Sequence, residues 1–188
     1  MNNSNAARIY NHRKTFSMPG KIHCYLAGDH DRLDALLERA VSDPAHIDAA
    51  AYAQFRAGLL KHIAMEEKVL LPAAQKARGG DPLPIAARLR LDHGALVALL
   101  VPSPTAPIAA AISAILKVHN PIEEDHGGVY DKCEKLAGAE ADQILRQLQN
   151  HSEVKVLPHV DNAFVMETTR RALARAGYNF EVQLVSAI

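Results

Sequence analysis

From Asp29 to Val41 the apolar residues Leu33, Leu36, Leu37 and Ala40 recur at helical spacing, which predicts an amphipathic helix whose start reaches back as far as Ile22. Ser42, Asp43 and Pro44 close that helix and open a second, because Asp caps a helix and Pro suits its first position; the second runs to about Lys76. The stretch GGDPLP stops the chain and restarts it, so Pro84 to Leu100 reads as a third helix, the most apolar of the set. A proline-rich connector, VPSPTAP, follows. With Thr105 as its cap, Ala106 to about Leu136 reads as a fourth helix, disturbed by Pro121 and by Gly127-Gly128. Beyond Gly138, EADQILRQLQN and DNAFVMETTRRALARAG predict two further helices split near Pro158, and the tail YNFEVQLVSAI stays unassigned.

Short connectors between consecutive helices favour antiparallel neighbours. The expected class is therefore all-α: an up-down-up-down four-helix bundle over residues 22–137, preceded by an extension (1–21) and followed by a helical appendage (138–188). Composition agrees. Hydrophobic residues make up 48% of the 188, aromatics only 5% and Trp is absent, a balance suited to packed helices rather than to a β-sandwich. Lys plus Arg and Asp plus Glu both total 21, so no global field draws the chain to nucleic acid or to an anionic membrane. Arg170, Arg171 and Arg175 read as a solvated helix face. The first twenty residues are polar, no apolar run approaches bilayer length, and a cytoplasmic location is expected. Cys24 and Cys133 are far apart and form no C-x-x-C, which leaves buried or idle thiols rather than a disulfide framework or a thiolate zinc site.

The chemistry lies in a repeat. HIAMEEKVLLP from His62 and HNPIEEDHGGVY from His119 both contain H-x-x-x-E-E. Residues four apart share a helix face, so His62 projects with Glu66 and His119 with Glu123. Glu67 and Glu124 are turned about 140° from those histidines, toward solvent or toward a role behind the donors. The other two helices each hold one histidine in a similar setting, His30 in GDHDRLDALL and His93 in LDHGALVALL. Every helix of the bundle thus supplies a nitrogen donor and alternate helices add a carboxylate, the set that two metal ions sharing carboxylates require. A mixed N/O set without thiolate points to non-haem iron first and to manganese or zinc next.

This order, a lone His, H-x-x-x-E, a lone His, H-x-x-x-E, resembles the hemerythrin-like family, also called the HHE cation-binding domain, over about residues 22–137. The resemblance implies two irons, each taking two histidines, with Glu66 and Glu123 bridging them beside an oxo or hydroxo group. It also implies a small diatomic ligand, dioxygen or nitric oxide, or a role in sensing or holding iron. Two departures stand out. Where the family usually continues through an apolar turn, Asp125-His126-Gly127-Gly128 intervene here, and Pro121 lies between the donors of the last motif. His126, seven residues after His119, reads either as a fifth histidine ligand or as a solvated residue beside the Gly-Gly turn. His12, His23, His46, His151 and His159 lack partnered spacing.

No general acid, base or organic-substrate pocket is legible, so a non-catalytic binding protein is the leading expectation. Two alternatives stand beside it: a di-iron enzyme of peroxidase or oxidase type, and a helical interaction module with zinc or no metal. Ferritin-like sites use Glu-x-x-His on two helices, and this sequence has one such match, Glu123 to His126. The appendage either packs beside the bundle or makes a homodimer contact.

Overall fold

The apolar stripes wind into helices in the computed structural model, which describes residues 18–179. His12, nearly all of the predicted extension and most of the tail YNFEVQLVSAI lie outside those residues. Among the described residues the elements are α1 (Lys21–Ala40), α2 (Ala49–Met65), a π turn (Glu66–Leu70), α3 (Leu71–Ala77), α4 (Ala86–Leu99), α5 (Ala106–Glu124), α6 (Val129–Ala137), a 3₁₀ turn (Gly138–Glu140), α7 (Ala141–Gln149) and α8 (Ala163–Arg175). The described chain is all-helical, and no described helix is long and apolar enough to cross a membrane.

The local code explains most boundaries, with one correction. α2 opens not at Pro44 but at Ala49, because the side chain of Asp48, rather than that of Asp43, accepts hydrogen bonds from the amides of Ala50 and Ala51. Asp43 instead closes a tight turn on the amide of Ala45. The predicted fourth helix divides into α5 and α6 at the Gly-Gly pair, while Pro121 stays inside the last turn of α5, on its exposed side. Pro72, which has no amide to donate, sits just past the π turn in which the Leu71 amide bonds the Glu66 carbonyl five residues back.

Pairings across the bundle run in opposite senses. On α1 and α2, Tyr25 meets Met65 and the amide of Asp48 reaches the carbonyl of Ala40. On α2 and α4, Arg56 bonds the carbonyl of Leu100, while Glu67 meets His93 toward the other end. On α1 and α5, His30 faces Glu124 while Val41 and Ala106 line one groove at the far end.

The segments beyond Gly138 are packed in. Ile144 and Leu148 of α7 join the core beside Ile22 and Leu26, and Leu173 and Ala176 join it beside Leu96 and Leu99. α8 lies along α4, and Arg56 also grips the carbonyl of Leu157 in the irregular stretch between α7 and α8.

Two apolar clusters form the core. One is centred on Leu33, Phe55, Leu59, Leu96, Ile112 and Ile115; the other on Leu26, Met65, Leu70, Leu89, Val129 and Tyr130. Burying each large side chain in them contributes roughly 1.5–3 kcal/mol. His30 falls between Leu26 and Leu33, His62 between Leu59 and Met65, His93 between Leu89 and Leu96, and His119 just after Leu116. The histidines therefore form a polar layer between two apolar ones, and burying such a layer is costly unless its groups find partners.

Candidate metal centre

All six predicted donors are buried: His30, His62, Glu66, His93, His119 and Glu123 expose between 1% and 4% of their surface. They converge as two groups of four, His30, His62, Glu66 and Glu123 in one and Glu66, His93, His119 and Glu123 in the other. Within each group one ligand atom per residue lies within 4.8 Å of all the others. Both glutamates belong to both groups. Glu66 Oε1 lies 3.4 Å from His62 Nε2, and its Oε2 lies 3.2 Å from His93 Nε2. Glu123 Oε2 is 3.6 Å from His30 Nε2 and 3.2 Å from His119 Nε2, and its Oε1 is 3.8 Å from His93 Nε2.

Every imidazole turns Nε2 inward because its Nδ1 is held by a carboxylate from a neighbouring element. His62 Nδ1 donates to Asp29 at 2.9 Å, His93 Nδ1 to Glu67 at 2.9 Å, His119 Nδ1 to Asp92 at 3.4 Å and His30 Nδ1 to Glu124 at 3.3 Å. An ionised carboxylate only accepts, so Nδ1 carries the proton and Nε2 is the atom available to a metal. The four bonds close a ring around the bundle: Asp29 of α1 serves α2, Glu67 after α2 serves α4, Asp92 of α4 serves α5, and Glu124 of α5 serves α1. Arg32, Arg88 and Arg90 in turn hold Asp29, Asp92 and Glu67 at 2.8, 3.1 and 3.1 Å.

The electrostatics follow from this packing. Burial opposes charging His62, yet the nearby Glu66 charge and the hydrogen bonds to Asp29 and Glu66 outweigh it and raise its pKa to about 10. In His93 the same contest, won by Glu66 and Glu67, ends at about 9; in His119, won by Asp92 and Glu123, at about 10. Burial pushes the Glu66 carboxyl up, but His62 and His93 hold it well below its ordinary value.

One residue enters the layer unannounced. The Tyr130 hydroxyl, fully buried at the start of α6, is within reach of all four members of the first group: Glu66 Oε1 at 2.7 Å, His30 Nε2 at 3.1 Å, and His62 Nε2 and Glu123 Oε2 at 3.2 Å. Among the described residues, the second group contains no such insertion. There Glu66 Oε2, His93 Nε2 and Glu123 Oε1 are buried without a hydrogen-bond partner. Buried orphans are costly, and three aimed into one space mark a position that suits a cation. Four donors about 2.1 Å from an ion stand about 3.0–4.2 Å apart, which matches the spacings of 3.2–3.8 Å in this group.

One family model matches the chain, over residues 19–94: a protein family of unknown function, DUF3572. That span carries His30, His62, Glu66 and His93 and ends before His119 and Glu123. No curated protein and no solved structure matches the chain.

Of the two readings of His126, the structure supports the solvated one: its side chain is 71% exposed and lies 3.5 Å from Asp131. Glu67 and Glu124 take the role behind the donors, each on the histidine of a different helix. His23 is buried against Asp131 at 2.7 Å, while Cys133 is buried, with its thiol pushed up to about 12, and Cys24 is exposed; both thiols are free. Asp29, Asp92 and Tyr130 are the site residues that sequence spacing did not assign. The repeated Asp-His pair was the visible trace of the first two.

Proposed function

We propose that this chain is a hemerythrin-like protein that holds two iron ions in the polar layer between its four long helices and binds a small diatomic ligand, dioxygen or nitric oxide, there. One observation carries the reading: four imidazole Nε2 atoms, each oriented by its own carboxylate, meet two shared glutamates, and the unpartnered Glu66 Oε2, His93 Nε2 and Glu123 Oε1 lie among them. A purely structural polar layer would be expected to hydrogen-bond those atoms, which here meet only as contacts of 3.2 and 3.8 Å. His30 and His62 would hold one ion, His93 and His119 the other, with Glu66 and Glu123 common to both. Nitrogen and carboxylate donors without thiolate suit iron, with manganese or zinc as the next fits.

Iron bound in this way supplies a redox-active Lewis acid to a ligand. The protein's share is to exclude bulk water and larger molecules and to keep the imidazoles oriented. Grooves of about 480 and 400 Å³ reach the carboxylates behind the donors, Glu124 in one and Asp29 in the other, but none of the six donors lines either. Deep burial of the donors favours a ligand of two or three atoms over an organic substrate.

The test is elemental analysis of protein purified without added metal salts, followed by spectroscopy. About two irons per chain are expected, with an optical change when dioxygen or nitric oxide meets the anaerobic ferrous protein. One zinc per chain, or none, with a melting temperature indifferent to chelation would dismiss the reading. Repeated turnover of peroxide, abolished by Glu66→Ala, would instead assign the same centre to an enzyme.

A further inference from the structure

We propose that Tyr130 is a protein ligand of the metal position formed by His30 and His62, so that the two positions differ: one carries a phenol oxygen and the other keeps its remaining coordination open to the external ligand. The inference rests on the two-metal reading and adds a donor that the histidine and glutamate motifs do not contain.

Its basis is the turn between α5 and α6. Had α5 continued as a helix, Tyr130, seven residues after Glu123, would share its face but lie about 10 Å farther along the axis. Instead the Tyr130 hydroxyl is 3.2 Å from the Glu123 carboxylate. Gly127 and Gly128 accomplish the return. Gly127 adopts a φ of +78°, and a Cβ on Gly128 would stand 2.6 Å from the Glu123 carbonyl oxygen and 2.7 Å from that of Asp125. Asp131 fastens the turn by accepting from the Gly127 amide at 2.7 Å.

The second support is the hydroxyl's position relative to the four donors. In an octahedral site with bonds of about 2.1 Å, neighbouring ligands stand about 3 Å apart. The Tyr130 oxygen lies 2.7, 3.1, 3.2 and 3.2 Å from Glu66, His30, His62 and Glu123. Those are the spacings that a vertex neighbouring all four would have. A phenol has one proton to donate and two lone pairs to accept with, so hydrogen bonding alone cannot satisfy four such neighbours, whereas an ion among them can. Coordination exchanges the O–H bond for an O–metal bond; the proton leaves to solvent and no electron is transferred. Among the described residues the second group shows no comparable intrusion, and an ion held by its atoms that lack hydrogen-bond partners would keep a coordination position for an external ligand.

The full chain, loaded with ferrous salt under nitrogen and oxidised in air, should show a visible phenolate-to-iron(III) charge-transfer band with tyrosinate ring modes in its resonance Raman spectrum. Tyr130→Phe, which preserves shape in the core, should keep two irons per chain and lose the band. Phenylalanine at each of the other four tyrosines should keep the band, which assigns it even if Tyr130→Phe folds poorly. Two irons per chain without a phenolate signature, or a band that survives in folded Tyr130→Phe, would overturn the inference and leave the two-metal reading standing. A chain that binds no metal would overturn both.

Discussion

Asp29 Oδ2 accepts a hydrogen bond from His62 Nδ1 at 2.9 Å, across the interface between the first two helices. The aspartate is itself held by Arg32 at 2.8 Å and lies at the margin of the site, while His62 is 2% exposed. Carboxylates behind metal-binding imidazoles set the ring's orientation and basicity, and removing one typically weakens metal affinity about 10–100-fold. Asp29→Asn should produce a loss in that range, read by competition against a chromophoric chelator, with helix content unchanged. Unaltered affinity would mean that His62 is oriented by its packing alone.

Glu66 and His119 should differ in how much metal they control. Glu66 turns Oε1 toward His62 and Oε2 toward His93, one oxygen to each group, whereas His119 belongs to the second group only. Glu66→Ala should therefore compromise both positions and His119→Ala only one, so metal content should fall below one ion per chain in the first variant and stay near one in the second. Without metal, Glu66→Ala also leaves His62 and His93 without their main counter-charge, and stripping a partner from a buried ion pair costs about 3–5 kcal/mol. Thermal melts of the metal-free proteins check that figure, and equal metal loss in the two variants would contradict the bridging role.

Four of the six candidate donors were legible in the sequence because both histidine-glutamate pairs repeat at a spacing that needs only one helix to interpret, and His30 and His93 because each follows an Asp and precedes leucines. The carboxylate ring was not. A helical wheel drawn for α2 turns Glu67 away from His62, and only the packing of α4 against α2 reveals that this direction leads to His93. Glu124 and His30 tell the same story. Tyr130 was hidden for a different reason: its distance from Glu123 depends on the path of a glycine turn, which spacing along a continuous helix misstates by about two turns. The start of α2 was misplaced at Asp43 because spacing alone does not separate one capping Asp from another, and the choice falls to the turn that brings Asp48 against Ala40.

Protons and metal should compete for the layer. In the metal-free chain His62, His93 and His119 hold their protons to about 10, 9 and 10, above their ordinary 6.5. Groups raised in this way stabilise the metal-free fold fully below about pH 6.5, and their contribution is lost as pH climbs toward 9–10. Glu66, held below its ordinary value, works in the other direction, stabilising above about 4.5 and less on acidification. Metal requires neutral imidazoles, so each proton displaced should strengthen binding by up to about tenfold per pH unit over the same alkaline window. The difference in melting temperature between metal-loaded and metal-free protein should widen steadily from pH 6 to 9. A difference that is flat with pH would show that these histidines are not the groups giving up protons to the metal.

The glycine pair offers a way to separate the turn from the donors. Gly127 needs its positive φ but has open space around the missing Cβ, so Gly127→Ala should cost only the left-handed penalty of about 1–2 kcal/mol, and Gly127→Asn less, since Asn visits that region more readily. Gly128 has an ordinary φ of −67° but no room, with three carbonyl oxygens within 2.9 Å of the added carbon. Backbone cannot yield as a flexible side chain does, so Gly128→Ala should force α6 outward at about 1–3 kcal/mol, the usual range for overpacking. Moving α6 moves Tyr130 and leaves the six histidine and glutamate donors on their own helices. The expected outcome is therefore a graded pair: Gly127→Asn with near-normal stability and an unaltered optical spectrum, and Gly128→Ala with metal still bound but a spectrum shifted toward that of Tyr130→Phe. Identical spectra from the two variants, with folding verified by circular dichroism, would show that the turn does not determine where the phenol lies.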